Sequence, residues 1–359
     1  MDAAGTSSAA SFLQTRAGTG LAGIPPCMYI HPELSAQYGP EPDRRSKIMD
    51  IDILLALQTF REGAGSVLSS FMEKMTFLGE TNTVLVLIAV VYWCISRETG
   101  AYLLMGLSGN RLINGLVKVT ACAYRPFIRD TRLVPGASAS GYSFPSGHST
   151  NAATMYGGIL FDRKTLRWTR VLLGLLIALV AFSRLYLGVH TPQDVLTGAA
   201  LGLVIMFGLQ RLMQYLSEHP EKDVMIAGIG IVFAIAVALY AGFKSYPADY
   251  DAEGKLLVNG TKEANDTFKA VGTCLGFCIG WIMERRWVSF STEIPGPQRL
   301  SRLTGGMLIF YLYTLVLMPL VNSWIPKPWG TILARFLQMF LIVFLYPYLM
   351  KRLEKRMHR

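Results

Sequence analysis

The sequence is poor in charge, which excludes an ordinary soluble globular protein. Charged residues make up only 16% of the 359 residues, against about 25% in soluble domains. Hydrophobic residues make up 52%, and many apolar runs reach the roughly 20 residues that a bilayer-spanning helix needs. The composition therefore predicts a polytopic, all-α membrane protein.

The sequence also lacks a cysteine framework and a cysteine metal motif. Its five cysteines, Cys27, Cys94, Cys122, Cys274 and Cys278, are scattered and lie mostly in apolar runs, with no CxxC pair. We interpret them as small side chains buried among helices. No cofactor is expected.

The net charge of +10 raises the question of a nucleic-acid partner. The basic residues, however, cluster in short loops between apolar runs, which is typical of cytoplasmic loops in membrane proteins. We therefore expect the bilayer, and no nucleic acid, to be the partner that explains the charge.

The chain divides into four predicted segments. Residues 1–48 are rich in Gly, Ala, Ser and Pro, contain no signal-peptide core, and are predicted to be a disordered tail. Residues 49–80 are amphipathic and predict a helix at the membrane interface. Residues 81–216 are predicted to form a membrane core, and residues 217–359 additional transmembrane helices.

Nine hydrophobic runs predict a bundle of about eight or nine transmembrane spans. These runs are 82–95, 101–122, 148–161, 168–187, 191–212, 224–243, 268–283, 303–321 and 332–350. Glycines repeat every four residues at Gly272, Gly276 and Gly280, and again at Gly198 and Gly202. We interpret both repeats as sites of close helix packing.

The charged loops predict an orientation. When the nine runs are threaded in order, most loops rich in Lys and Arg fall on one side together with the C-terminal tail, which the positive-inside rule assigns to the cytoplasm. Loops 123–147, 244–267 and 322–331 fall on the other side. If the host is bacterial, the expected location is the cell membrane.

Three groups of polar residues stand at predicted span ends on the non-cytoplasmic side. The first is Lys118, followed seven residues later by Arg125 and then Pro126. Seven residues are two helical turns, so both cations are predicted to point at one spot before the proline ends the helix. Arg111 and Asn114 extend the same polar stripe, and for them we favour pairing inside the bundle over a contact with the site.

The second group is Pro145-Ser146-Gly147-His148, at the start of a predicted helix. A helix N-terminus presents free N–H groups and a positive dipole end, which suit a bound oxyanion. Gly147 would allow the close approach of that anion to the backbone.

The third group is Ser183-Arg184, followed by His190 and Asp194. Pro192 suits the first turn of a helix, on which His190 and Asp194 would lie one turn apart. The carboxylate can then hold one imidazole nitrogen and leave the other free to attack. Together the three groups suit phosphate, and no carboxylate pair or cysteine cluster lies near them to hold a metal.

The three motifs resemble, without departure, the signature of the type 2 phosphatidic acid phosphatase (PAP2) superfamily. They read Lys118-x6-Arg125-Pro126, Pro145-Ser146-Gly147-His148 and Ser183-Arg184-x5-His190-x3-Asp194. The match covers residues 118–194 and identifies 81–216 as a PAP2-type catalytic membrane core. The longer chain after residue 220 is more similar in layout to the larger members of that superfamily.

The resemblance implies a division of roles and a metal-free reaction. His190 would be the nucleophile, Asp194 would orient it, and His148 would protonate the leaving group and later activate water. The phosphoryl oxygens would be bound by Lys118, Arg125, Ser146, Gly147 and Arg184.

The expected function is a metal-independent phosphatase acting on a lipid phosphate monoester or diphosphate, of the phosphatidic acid, sphingoid-phosphate or isoprenyl-diphosphate type. Two alternatives stay open. One is a lipid phosphotransferase that passes the phosphate from His190 to an acceptor other than water. The other is a catalytically silent protein that binds or transports lipid.

Overall fold

The computed structural model describes residues 44–162, 165–251 and 253–357, and most of them are helical. Residues 1–43 of the predicted tail 1–48 lie outside the described residues. Within these ranges the one strand-like pairing is an isolated antiparallel bridge between Tyr250 and Leu256. The prediction of an all-α fold is confirmed.

Fourteen α-helices are described in chain order. They are α1 Arg44–Gly63, α2 Gly65–Phe77, α3 Thr81–Val90, α4 Arg97–Ala121, α5 Pro126–Arg129, α6 Gly147–Leu160, α7 Arg167–Tyr186, α8 Pro192–Glu218, α9 Asp223–Phe243, α10 Gly260–Met283, α11 Gly296–Leu312, α12 Met318–Trp324, α13 Trp329–Phe340 and α14 Tyr346–Met357. Wider π-helical turns extend four of them, at Val91–Ile95, Glu284–Val288, Tyr313–Leu317 and Leu341–Leu345.

Five of the described helical segments are long and apolar enough to cross a membrane. They are Arg167–Tyr186, Pro192–Glu218, Pro220–Phe243, Gly296–Trp324 and Trp329–Arg356. The pair Gly65–Phe77 and Thr81–Ile95, bent by 57° at its break, makes a sixth candidate if it counts as one span. The protein is therefore an integral membrane protein with five or six candidate spans by length and composition, fewer than the eight or nine predicted.

The other predicted spans are present as helices but differ from the candidates in length or charge. Helix α6 has only 14 residues, whereas α4 and α10 carry several charged side chains along their length. Both α6 and α10 pack directly against α4. In addition, α6 lies against α7 and α8, and α10 lies against α9 and α13. Some of their polar side chains, such as Asn114 on α4, Asn151 on α6 and Glu263 on α10, are buried inside the bundle, where polar groups are tolerable.

The N-terminal part of the structure differs from the predicted single interfacial helix. Helix α1 already begins at Arg44, within the predicted disordered tail, and the segment 49–80 contains two helices, α1 and α2, separated at Ala64. Gly65 has a positive φ of 77° at this break, a conformation that glycine adopts without steric cost. Both helices pack against α7, so this segment is attached to the core.

The glycine repeats allow close helix contacts, as predicted. A Cβ atom at Gly272 or Gly276 would lie 2.2 or 2.4 Å from the carbonyl oxygens of Ile332 and Phe336 on α13. A Cβ at Gly198 would lie 2.6 Å from the carbonyl oxygen of Ser146. The first contact joins α10 to the C-terminal helices, and the second brings α8 directly onto the start of α6.

The cysteines divide into two kinds. Cys94, Cys274 and Cys278 are free and buried, as the interpretation of small packed side chains predicts. Cys122 is also buried but is disulfide-bonded, a bond that the scattered spacing of the cysteines did not predict. Cys27 lies outside the described residues.

Candidate active site

A cavity of about 360 Å³ lies at one end of the bundle. Its walls come from α4, α6, α7 and α10 and from the loops that precede α6 and α8. Six of the eight predicted site residues line it, namely Lys118, Arg125, Gly147, His148, Arg184 and His190. The three motifs, which are spread over 77 positions in the sequence, therefore meet at one place.

His190 is held with one ring nitrogen toward a carboxylate and the other toward the cations. Its Nδ1 lies 3.4 Å from Asp194 Oδ2, and its Nε2 lies 3.4 Å from Arg125 Nη1. Helix α8 begins at Pro192, so His190 occupies the turn before the helix and not its first turn. Burial lowers the pKa of His190 to about 3, against the opposing effect of Asp194. The imidazole is therefore neutral at physiological pH, with a lone pair available on Nε2.

The Asp194 carboxylate is fixed by two further donors. The Thr191 N–H donates to Asp194 Oδ2 at 2.7 Å, and the Asp194 N–H donates to Thr191 Oγ1 at 3.3 Å, which completes a capping box at the start of α8. The Ser143 hydroxyl donates to the same Oδ2 at 2.5 Å and lies 3.3 Å from His190 Nδ1. Such a rigid carboxylate can fix both the orientation and the tautomer of the imidazole.

Arg125 reaches the cavity from a loop, not from the helix that carries Lys118. Helix α4 ends at Ala121, and Cys122 follows in the left-handed conformation with φ 50°. The prediction that Lys118 and Arg125 lie two turns apart on one helix was therefore wrong, because the chain turns before it reaches Pro126. Arg125 is nonetheless buried, and its guanidinium donates to the carbonyl oxygens of Ser140 at 2.8 Å and Val189 at 2.9 Å.

Lys118 and Arg184 complete the group of cations. The Lys118 Nζ donates to the Tyr142 carbonyl oxygen at 2.8 Å. Arg184 Nη1 donates to the Thr76 hydroxyl at 2.6 Å, whereas the buried Arg184 Nε has no partner among the described residues. Each side chain is thus anchored by one contact and keeps further N–H donors for an anion.

The second motif places His148 and Gly147 in the cavity but not the Ser146 side chain. Ser146 is fully buried and caps α6, where its hydroxyl oxygen accepts from the hydroxyl of Ser149 at 3.1 Å. Its backbone N–H donates to the Asp194 carbonyl oxygen at 2.9 Å. The Ser146 hydroxyl therefore acts as an acceptor at the helix start, and its backbone links the second motif to the third; that Ser146 donates to phosphate stays a prediction.

Helix α10 supplies a wall that none of the three motifs predicts. Its residues Glu263, Asp266, Thr267 and Ala270 line the same cavity as the two histidines. The buried Glu263 accepts the Tyr142 N–H at 3.2 Å, so the backbone of Tyr142 is held by Glu263 at its N–H and by Lys118 at its carbonyl oxygen. The predicted boundary at residue 216 thus does not isolate the site, since a helix from the C-terminal part of the chain closes it.

The N-terminal helix α1 supports the turn that precedes His190. Arg61 donates to the Tyr186 carbonyl oxygen at 3.2 Å and to the Val134 carbonyl oxygen at 2.5 Å. Gly136 in the same loop donates its N–H to the Leu187 carbonyl oxygen at 2.8 Å. The loop before α6 and the end of α7 are therefore joined to each other next to the turn that leads to His190.

The cavity is mixed in charge and suits an anion near its histidines. Its charged lining residues are the cations Arg111, Lys118, Arg125 and Arg184 and the carboxylates Glu80, Glu263 and Asp266. In the described part of the chain, no group of three or more His, Cys, Asp and Glu residues could hold a metal ion. The geometry can therefore bind a phosphoryl group, attack it with one imidazole and exchange a proton with the other.

Comparison with known proteins gives matches in both halves of the chain. The family described as the PAP2 superfamily matches residues 99–218. A second family, described as a PAP2 superfamily phosphatase, transmembrane extension, matches residues 268–358. The second match covers most of α10 and all of the helices after it.

Individual relatives agree with the first match. The chain is 33% identical over 167 residues to phosphatidylglycerophosphatase B of Bacillus subtilis, covering 43% of this chain and 80% of that one. It is 32% identical over 165 residues to undecaprenyl-diphosphatase BcrC of the same organism, covering 45% of this chain and 82% of that one. Among solved structures, a transmembrane PAP2 type phosphatidylglycerolphosphate phosphatase from Bacillus subtilis is 29% identical, with a TM-score of 0.43 over 49% of this chain and 89% of that one.

Proposed function

The chain belongs to the PAP2 superfamily of phosphatases, and on that premise we propose that it hydrolyses a lipid phosphate monoester or diphosphate without a metal ion, through a phospho-histidine intermediate. The observation that carries the proposal is His190, whose Nδ1 faces Asp194 and whose Nε2 faces the cationic cavity. That arrangement couples a nucleophile to an orienting carboxylate.

In the first step His190 Nε2 attacks phosphorus and the bond from phosphorus to the ester or bridging oxygen breaks. The leaving oxygen takes a proton from His148, whose imidazolium form is stabilised by the negative charge of the bound phosphoryl group, so that it departs as a neutral hydroxyl or a protonated phosphate. The His190 Nδ1–H stays with Asp194, whose charge offsets the positive charge that forms on the phosphorylated ring. Lys118, Arg125 and Arg184 neutralise the phosphoryl oxygens.

In the second step His148, now neutral, accepts a proton from water as the water oxygen attacks phosphorus. The bond from phosphorus to His190 Nε2 breaks, inorganic phosphate leaves, and His148 is again protonated for the next cycle. The Gly147 N–H at the start of α6 is free of an intrahelical partner and supports the anion in both steps.

The same proposal includes a membrane arrangement. All nine predicted spans would cross or enter the bilayer, with the C-terminus in the cytoplasm and the cavity at the non-cytoplasmic face. Support comes from the loops that carry Arg125 and His190, which lie at the same end of the bundle, and from the basic C-terminal residues 351–356. A lipid headgroup would then enter the site from the outer leaflet.

The test is phosphate release by the purified full-length protein in detergent with a chelator present. The panel contains phosphatidic acid, a sphingoid phosphate, and the substrates that the relatives' names indicate, phosphatidylglycerophosphate and undecaprenyl diphosphate. We expect turnover in the chelator, inhibition by vanadate, and no turnover by His190→Ala. Activity that requires an added metal, or that survives in His190→Ala, would contradict the proposal. Transfer of phosphate to an alcohol in place of water would favour the phosphotransferase alternative.

A further inference from the structure

Arg111 is a cation in the cavity for which the described residues provide no hydrogen-bond or ion-pair partner. It lies on α4, seven residues before Lys118, is partly buried and lines the same cavity. It makes no hydrogen bond or ion pair with any residue in the part of the chain that the structure describes. Asn114, one turn further along, does pair inside the bundle, since it donates to Thr150 Oγ1 at 3.0 Å. A guanidinium left unpaired inside a membrane protein is costly and indicates a function.

The charged groups around Arg111 are already engaged elsewhere. They are Arg335 on α13, Asp266 on α10 and Glu80 before α3. Arg335 donates to the Gln338 side-chain oxygen at 2.7 Å. Asp266 pairs with Lys269 at 2.5 Å, and Glu80 accepts the backbone N–H groups at the start of α3. Because none of these groups bonds Arg111, its five N–H donors are left for a molecule in the cavity.

The position of Arg111 selects the kind of anion that it can meet. Seven residues of α-helix correspond to about 10.5 Å along the axis, so Arg111 lies well below Lys118, toward the middle of α4. The two phosphorus atoms of a diphosphate share one oxygen. Both would therefore lie among the three cations near His190, which are Lys118, Arg125 and Arg184. An anion that is joined to the terminal phosphate through a linker of several bonds can reach Arg111 while that phosphate stays at His190.

The direction in which Arg111 is displaced from Lys118 along α4 also fits a lipid. A lipid whose terminal phosphate lies at the end of α4 must run the rest of its headgroup back along α4 toward its acyl chains in the bilayer core. Any second anionic group between that phosphate and the acyl chains therefore passes the level of Arg111.

We propose that Arg111 forms a second anion subsite, which selects lipids that carry a further phosphate group one short linker away from the phosphate that is removed. The inference rests on the proposed function for the identity of the first phosphate site. It assigns Arg111 to substrate selection, in place of the structural pairing favoured from the sequence.

Binding in the absence of turnover tests the subsite separately from catalysis. Full-length protein carrying His190→Ala is titrated by calorimetry in detergent with glycerol 1,3-bisphosphate, glycerol 3-phosphate and pyrophosphate. We expect an added Arg111→Gln change to weaken glycerol 1,3-bisphosphate binding by about 10- to 100-fold, as the loss of hydrogen bonds to a charged partner predicts. The other two probes should change by less than about threefold. Arg111→Lys should recover part of the loss, since it keeps the charge.

Arg211→Gln is the matched control, because Arg211 is an exposed guanidinium over the Phe207 ring and does not line the cavity. It should leave binding of all three probes unchanged.

An equal loss for all three probes in Arg111→Gln would assign Arg111 a structural role. A loss for pyrophosphate as large as for glycerol 1,3-bisphosphate would place Arg111 in the first phosphate site. Unchanged glycerol 1,3-bisphosphate binding would also overturn the inference. Because no outcome depends on turnover, failure of the proposed hydrolase activity is recognised separately, in the phosphate-release assay.

Discussion

Glu263 is the residue through which the C-terminal half of the chain is expected to control the phosphate site. Its carboxylate accepts the N–H of Tyr142, whose carbonyl oxygen accepts from Lys118 Nζ. The adjacent carbonyls of Ser140 and Gly141 accept from the Arg125 guanidinium. A shift of residues 140–142 would therefore move both cations together.

The expected magnitude follows from the contact that is lost. In Glu263→Ala the fully buried Tyr142 N–H has no acceptor, which costs about 1–3 kcal/mol. If the same free energy is lost from transition-state binding because Lys118 and Arg125 are displaced, kcat/KM falls by roughly 10- to 100-fold. Each ~1.4 kcal/mol corresponds to a factor of ten in rate. Glu263→Gln keeps an acceptor oxygen at the same place, and its loss should be less than about tenfold.

The assay is phosphate release from phosphatidic acid by purified variants that elute as folded protein in size-exclusion chromatography. Glu253→Ala, an exposed carboxylate in the loop before α10, is the control and should match the unmodified protein. Wild-type kcat/KM in Glu263→Ala would refute the role of this contact. A loss in Glu263→Gln as large as in Glu263→Ala would refute the hydrogen-bond explanation.

Three further predictions concern orientation of the nucleophile, packing and topology. Asp194→Asn should lower kcat by on the order of 10²–10⁴ with little change in KM, because the tautomer and orientation of His190 are no longer fixed; an unchanged kcat in steady-state kinetics would contradict this. Gly276→Ala should lower the thermal unfolding temperature, since its Cβ would lie 2.4 Å from a backbone oxygen of α13, whereas Gly228→Ala, with nothing within 4 Å, should not; equal unfolding temperatures would show that the contact is not needed. A reporter fused after Arg359 should remain cytoplasmic in a reporter-fusion assay, and an exported signal would overturn the orientation.

The parts of the site that depend on local spacing were predictable from the sequence. His190 and Asp194 are four residues apart with a proline between them, and the structure places their side chains 3.4 Å from each other. Gly147 and His148 follow a capping serine, and both line the cavity. In these cases backbone geometry over a few residues decides where the side chains lie.

The parts that depend on distant contacts were not predictable. Lys118 and Arg125 were expected on one helix, but the chain leaves the helix at Cys122, and helical spacing alone cannot show where a helix ends. Glu263 is 121 residues from Tyr142, and no pattern near it indicates a contact with the site. Ser143, which joins Asp194 and His190, stands in a loop without a periodic pattern that would single it out.

The span count shows a related limit. Hydropathy detects helices that face lipid, but α4 and α10 place charged side chains in the cavity and fall short of that test. The charged residues that line the cavity, Arg111 and Lys118 on α4 and Glu263 and Asp266 on α10, therefore contribute to the low hydropathy of these two helices.

The most direct test of the account is to trap the phosphorylated enzyme. Purified protein is mixed with a lipid phosphate labelled with ³²P, quenched in alkali within milliseconds and separated by electrophoresis. We predict a protein-bound label that is stable in alkali and lost in acid, as a phosphorus–nitrogen bond requires, and that maps to the peptide containing His190. His148→Ala should accumulate this label, because water is no longer activated for the second step, and His190→Ala should carry none. A label on any other residue, or phosphate release by a chain that never becomes labelled, would contradict the mechanism.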